Sequence, residues 1–251
     1  MGRDKNSSVM GPQETTPARI VCFDLGGVLV RICGTWSEAC RVAGLAERDE
    51  PSAPDMEEKR RSLAALLEVG RISLDEWAAG VSRAFEGAYS PDEAKCTHHA
   101  ITLGEYAGAL ALIDELHEAG VATACLSNTN HAHWVRLVHH DGVVPLTGES
   151  EYPSVARLKK QFASHLLGVA KPDAAIYVQF ERLVGLQGPA ILFFDDRAEN
   201  VDAARRRDWR AHRIDPEGDP IAQIREHLRH EGLLQSMRPR AATPASFRRG
   251  P

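Results

Sequence analysis

The sequence predicts an α/β fold of three layers: a central parallel sheet between helices, with a small helical cap inserted into it. Three observations carry that prediction. Short apolar runs without alternation fit strands covered on both faces: RIVCFD at 19–24, VATACLS at 121–127 and AILFFDD at 190–196. Segments of helical period separate the last runs from one another, as a parallel sheet requires. A block from 33 to 104 shows helical period and no strong strand, which predicts an all-helical insertion of about 70 residues.

The elements follow in order. Residues 1–17 are polar and read as a tail. The first strand ends at Asp24, where Gly26-Gly27 allows a tight turn. Inside the insertion, Leu63, Leu66 and Leu67 and then Ile72, Trp77, Val81 and Phe85 recur at helical spacing. Ser73 and Glu76 form a capping box, so a helix is expected from about Leu74. Residues 105–119 read as an amphipathic helix ending at Gly120, and 121–127 as the next strand. A helix over 173–184 is expected to bury Ile176, Phe180 and Leu183 on one face. Strand 190–196, a helix over 198–207, a short strand at 210–214 and a helix at 221–230 complete the chain. The predicted division is a core of 18–32 and 105–230, a cap of 33–104, and tails at 1–17 and 231–251. Among the aromatics, Trp36, Trp77 and Tyr106 are expected to pack, and Arg31 is a further candidate for lining a pocket.

Bulk properties exclude several classes. A net charge of −5 gives no electrostatic footprint for nucleic acid or an anionic membrane. No apolar run reaches the roughly 18–20 residues needed to cross a bilayer. The first residues lack an apolar stretch of signal-peptide type, and Asn6 breaks the myristoylation pattern. Five cysteines, scattered and without CxxC spacing, point to a reducing, cytoplasmic setting rather than a disulfide framework. Oligomeric state is not legible.

Polar groups at the carboxyl ends of parallel strands mark the ligand side of such a sheet. Asp24, Ser127 and the pair Asp195-Asp196 fall there. Four motifs then stand in order: DLGGVLV at 24–30, LSNTN at 126–130, KPD at 171–173 and FFDDRAEN at 193–200. Together they resemble the haloacid dehalogenase superfamily over residues 19–215, within its subfamily IA. The segments GRISLDEW (70–77) and SHLLGVAKP (164–172) are similar to α-glucose-1-phosphate phosphatases and to the phosphatase domain of bifunctional epoxide hydrolases.

The resemblance implies a Rossmann-like core, Mg²⁺ and a small phosphorylated metabolite as substrate. It implies Asp24 as the nucleophile, a role that suits a carboxylate able to form an aspartyl-phosphate. Asp24, Asp196 and the backbone carbonyl of Gly26 are the implied metal ligands, with Asp195 in the outer shell. Ser127 and the amide of Asn128 are expected to bind phosphate oxygens, and Lys171 to supply positive charge. His133 is a further candidate for substrate contact, with a packed histidine as the competing reading. Asn200 stands where many relatives carry another acid.

One departure matters. Phosphatases of this type commonly carry a second Asp two residues after the nucleophile, which protonates the leaving group; here that position is Gly26. General acid–base catalysis contributes about 10²–10⁴-fold. Three readings remain open: a phosphatase for substrates with good leaving groups, such as sugar-1-phosphates; a carbon–halogen hydrolase, since halide leaves without a proton; or a phospholigand-binding protein without turnover.

Overall fold

In a computed structural model, residues 18–46, 54–140 and 147–235 are described. The expected tail at 1–17 and the chain from 236 lie outside the described residues. The elements in chain order are β1 (Ile20–Phe23), β2 (Val30–Ile32), α1 (Trp36–Val42), α2 (Pro54–Glu68), α3 (Leu74–Ala84), α4 (Pro91–Ala100), β3 (Thr102–Glu105), α5 (Ala109–Glu118) and β4 (Ala122–Ser127). They continue with α6 (His131–Val138), α7 (Pro153–Arg157), β5 (Lys160–Ala163), α8 (Ser164–Leu167), α9 (Ala174–Val184), β6 (Ile191–Asp195), α10 (Ala198–Arg205), β7 (Arg210–Arg213) and α11 (Pro220–His230).

The central sheet runs β5-β4-β1-β6-β7 with every pair parallel. Its strands are apolar at consecutive positions because both faces are covered. Val21, Phe23, Cys125, Leu192 and Phe194 pack into one core with Leu112, Ile113 and Leu116 of α5 and Ile224 and Leu228 of α11. Ile20, Cys22, Leu126, Ile191 and Phe193 face the other way, onto Ile176, Tyr177 and Phe180 of α9 and Val201 and Ala204 of α10. This is the predicted Rossmann-like three-layer arrangement.

Between β2 and β3, helices α1–α4 enclose a separate buried cluster that includes Trp36, Met56, Leu67, Trp77, Val81, Phe85 and Tyr89. Trp36 stacks on Phe85 with ring centroids 5.8 Å apart, and Trp77 is 2% exposed, so both aromatics pack as expected. The capping box at Ser73 is present: Glu76 N–H donates to Ser73 Oγ, and Ser73 N–H donates to Glu76 Oε2. Ser90 and Glu93 build a second one at the start of α4.

Three expectations need correction, and one strand was not foreseen. The block that reads as purely helical ends in a strand, β3, which pairs antiparallel with β2. The chain therefore leaves and re-enters the core through two adjacent strands. The helix read from 105 begins only at Ala109, because Gly104 and Gly108 hold left-handed φ of 105° and 85° ahead of it. Strand β5, with the sequence KQFA, is short and half polar at the sheet edge and carries no apolar run to announce it. On α9, Leu183 is 53% exposed, and Val184 packs against the core instead.

Candidate active site

Main-chain pairing places the acids. The N–H of Asp24 donates to Phe194 O at 2.8 Å, which extends the β1–β6 ladder by one residue and lays Asp24 beside the end of β6. Asp195 closes β6, Asp196 follows it, and Ser127 closes β4. The loop between α8 and α9 brings Lys171 to the same point. Its Nζ stands 3.0 Å from Asp24 Oδ1 and 2.7 Å from Asp195 Oδ2, with the side chain fully buried.

Carboxylate oxygens of Asp24, Asp195 and Asp196 lie within 4.8 Å of one another. Three acids thus share one lysine. Burial pushes Asp24 up to about 7; Lys171 opposes the rise, and the neighbouring Asp195 and Asp196 add to it. Burial, then Asp195, also raises Asp196. Burial pulls Lys171 down, but Asp195 and Asp24 more than offset it and hold the ammonium above its ordinary range. An all-oxygen donor set with surplus negative charge fits a hard divalent cation such as Mg²⁺. Gly27 completes the cradle: at φ 72°, a β-carbon there would come within 2.9 Å of the Asp196 carboxylate.

Asp195 differs from the other two acids. Its Oδ1 accepts from the Arg197 N–H at 2.9 Å and from Asn200 Nδ2 at 2.9 Å; its Oδ2 accepts from Lys171 and, at 3.1 Å, from Asn200 Nδ2. Both oxygens are therefore engaged, Oδ2 by Lys171 and Oδ1 by the Arg197 N–H and Asn200. The neutral Asn200 acts as a donor where an acid would add a further negative charge. Asn128 also does more than offer its backbone: its Nδ2 donates to Lys171 O at 2.8 Å and its Oδ1 accepts from Lys171 N–H at 2.9 Å. That reciprocal pair locks the strand-end loop of β4 to the lysine loop. Sequence spacing gave no sign of it, since the two residues are 43 positions apart.

Over the strand ends lies a cavity of about 240 Å³. Its lining includes Gly26, Ser127, Asn128 and His133 from the core and Arg60, Leu67, Glu68, Trp77 and His98 from the insertion. Asn130 caps α6: its Oδ1 accepts the N–H groups of Ala132 and His133, which leaves Nδ2 to donate to His98 Nε2 at 3.0 Å. Burial keeps His98 neutral by pulling it down to about 2. The ring proton is therefore on Nδ1, which is buried and without a hydrogen-bond partner among the described residues, as is Trp77 Nε1. His133 stacks on His98 at 3.9 Å and donates from Nε2 to His98 O at 2.7 Å, leaving its Nδ1 as an acceptor. Of the other residues considered, Tyr106 donates to Pro216 O and Arg31 to Leu103 O.

A family model described as haloacid dehalogenase-like hydrolase matches residues 18–207. The chain belongs to that family and is a hydrolase. Among solved structures, it is similar to a predicted HAD-like family hydrolase from Porphyromonas gingivalis, at 25% identity and a TM-score of 0.66, over 85% of this chain and 99% of that one. A HAD family enzyme from Bacteroides thetaiotaomicron, in complex with magnesium and inorganic phosphate, matches at 19% identity and a TM-score of 0.63, over 80% and 96% of the two chains. An L-2-haloacid dehalogenase from Xanthobacter autotrophicus, with chloropropionic acid covalently bound, matches at 18% identity and a TM-score of 0.51, over 78% and 77%. No helix among the described residues is long and apolar enough to cross a membrane.

Proposed function

We propose that the chain is a Mg²⁺-dependent phosphate monoester hydrolase that works through an aspartyl-phosphate on Asp24. The observation that carries this reading is the shared lysine: Lys171 bridges Asp24 and Asp195, with the Asp196 carboxylate within 4.8 Å of theirs. A carboxylate nucleophile, a fixed cation and a spare acid for a metal are what phosphoryl transfer needs, because its demand is positioning and charge neutralisation.

Asp24, Asp196 and the Gly26 carbonyl would hold the ion, with Asp195 behind them. Bound there, Mg²⁺ neutralises phosphoryl oxygen charge and favours the ionised form of Asp24. Lys171 contributes the opposite wall of positive charge, and Ser127 with the Asn128 amide donates to phosphate oxygens. Asp24 attacks phosphorus, the ester oxygen departs, and water then cleaves the acyl phosphate.

Residues 33–104 act in this reading as a cap that encloses the leaving group and keeps water out. A cavity of about 240 Å³ suits a small metabolite. A sugar-1-phosphate meets that condition, and its anomeric oxygen needs less protonation than an ordinary alcohol.

A phosphate-release screen over sugar phosphates, nucleotides and amino-acid phosphates, with and without Mg²⁺, tests the proposal beside Asp24→Asn. Release should require Mg²⁺ and vanish in the variant. Gly26 favours carbon–halogen hydrolysis as a second reading, because halide leaves unprotonated. Turnover of 2-haloacids in excess EDTA would establish that reading. Tight binding of phosphate and Mg²⁺ with no turnover across the panel would mark a phospholigand-binding protein.

A further inference from the structure

We propose that Glu68, the last residue of α2, is the general acid–base of this active site and does the work that Gly26 cannot. The inference rests on the phosphatase reading above and adds a residue to it.

Position is the first argument. Glu68 lines the same cavity as Gly26, Ser127 and Asn128. It is the one carboxylic acid in that lining.

Anchoring is the second. Ser164 Oγ stands 2.5 Å from Glu68 O and 3.0 Å from Thr129 O, and it accepts from the Thr129 N–H at 2.9 Å. The end of α2 is thereby tied to the loop that begins at Ser127. The backbone of Glu68 is thus held to the core loop although the residue comes from the helical insertion.

Availability is the third. The side chain makes no hydrogen bond or ion pair among the described residues, so its proton is not committed elsewhere. Burial raises its pKa, with Arg197 and Lys171 opposing. The other titratable groups near the end of α2 are Arg60 on the same helix, His165 on α8, and His98 and His133 in the cavity lining. On α3, Asp75 pairs with Lys95, Glu76 is held by Ser73, and Arg83 lines an outer groove with Lys59. A carboxyl that burial holds above its ordinary range suits a group that must both give and take a proton.

Asp24 Oδ bonds to phosphorus while the phosphorus–oxygen bond of the ester breaks. The Glu68 carboxyl proton passes to the departing oxygen, giving an alcohol and a Glu68 carboxylate. That carboxylate then takes a proton from water as the water oxygen bonds to phosphorus and the phosphorus–Asp24 bond breaks. Inorganic phosphate, ionised Asp24 and protonated Glu68 result.

The test is Glu68→Gln in the full chain with Mg²⁺, assayed on glucose-1-phosphate, glycerol phosphate and p-nitrophenyl phosphate. Turnover of glycerol phosphate should fall by about 10²–10⁴-fold. p-Nitrophenolate leaves without a proton, so the variant should give a rapid burst of it, stoichiometric with enzyme, followed by slow turnover. A merely structural role for Glu68 would not produce that burst. The wild-type kcat–pH profile should also lose one limb, and Glu68→Asp should retain more activity than Glu68→Gln. Glycerol phosphate turnover by Glu68→Gln within about threefold of wild type, with an unchanged pH profile, overturns the assignment. In that case an inactive Asp24→Asn still leaves the phosphatase reading standing. No phosphate release by the wild type from any of the three esters overturns both.

Discussion

Asp196 lies so close over Gly27 that a β-carbon at position 27 would sit 2.9 Å from its carboxylate carbon. The glycine is therefore part of the proposed metal site as well as a turn residue. Gly27→Ala should strain the backbone at φ 72° and displace Asp196. We expect a stability loss of about 1–3 kcal/mol and at least a tenfold weaker apparent Mg²⁺ affinity. Denaturant titration and Mg²⁺-dependent activity measure the two effects. Unchanged Mg²⁺ dependence would show that Asp196 does not hold the ion.

Metal removal gives a second prediction. Three acids crowd one lysine, so the ion should stabilise the fold. Saturation at a hundred times Kd corresponds to about 2.7 kcal/mol, and EDTA should lower Tm accordingly. Asp196→Asn should raise the Tm of metal-free protein by easing the repulsion, and should abolish the Mg²⁺ increment. A Tm indifferent to Mg²⁺ in the wild type would count against the site.

The third prediction concerns pH. Burial holds His133 down to about 4 and His98 to about 2, whereas an unfolded histidine titrates near 6.5. Below pH 6.5 the unfolded chain takes up protons that the native rings refuse. This contribution is present above pH 6.5 and is lost as pH falls, by at most about 1.4 kcal/mol per pH unit for each ring. Asp24 and Asp196 are raised, so they act with the opposite sign, and the comparison must be made against a variant. Between pH 4 and 6.5, His133→Gln should show a shallower loss of stability than the wild type. Parallel curves would remove the prediction.

A fourth prediction joins the two ends of the cavity. Gly26 does not hold a left-handed φ, and a β-carbon there would meet only the flexible side chain of Ile32, at 3.1 Å. An aspartate is therefore sterically admissible once Ile32 turns aside. Gly26→Asp in the Glu68→Gln background should recover at least tenfold in glycerol phosphate turnover, by restoring a proton donor to the same oxygen. Failure to recover, with Gly26→Asp folded and binding phosphate, would mean that the lost step is not proton transfer.

Much of the core was legible because a strand covered on both faces must be apolar at consecutive positions, and β1, β4 and β6 are. Asp24, Ser127 and Asp195 follow from it, since a ligand in such a sheet sits beyond the strand ends. β2, β3 and β5 were not legible: each has three or four residues, and Arg31, Gly104 and Lys160 interrupt any pattern. The helix face at Leu183 was misplaced because Ile176, Phe180 and Leu183 sit three or four residues apart, a spacing that Val184 also satisfies. Within the site, the clamp between Asn128 and Lys171, the grip of Asn200 on Asp195 and the place of Glu68 all depend on segments distant in sequence. An asparagine or a helix-terminal glutamate has no local signature for such a role.

Ser164 has one hydroxyl proton for two carbonyls, Glu68 O at the end of α2 and Thr129 O in the core loop. On the proposed reading it works as a clutch between recognition and protonation. When the phosphate loop is seated, the same hydroxyl registers the acid above it. If the helical insertion swings away, it carries the acid out of reach. Hydrolysis of a bound ester is then gated by engagement of the insertion, and a substitution at this serine should uncouple binding from turnover without touching a reacting atom.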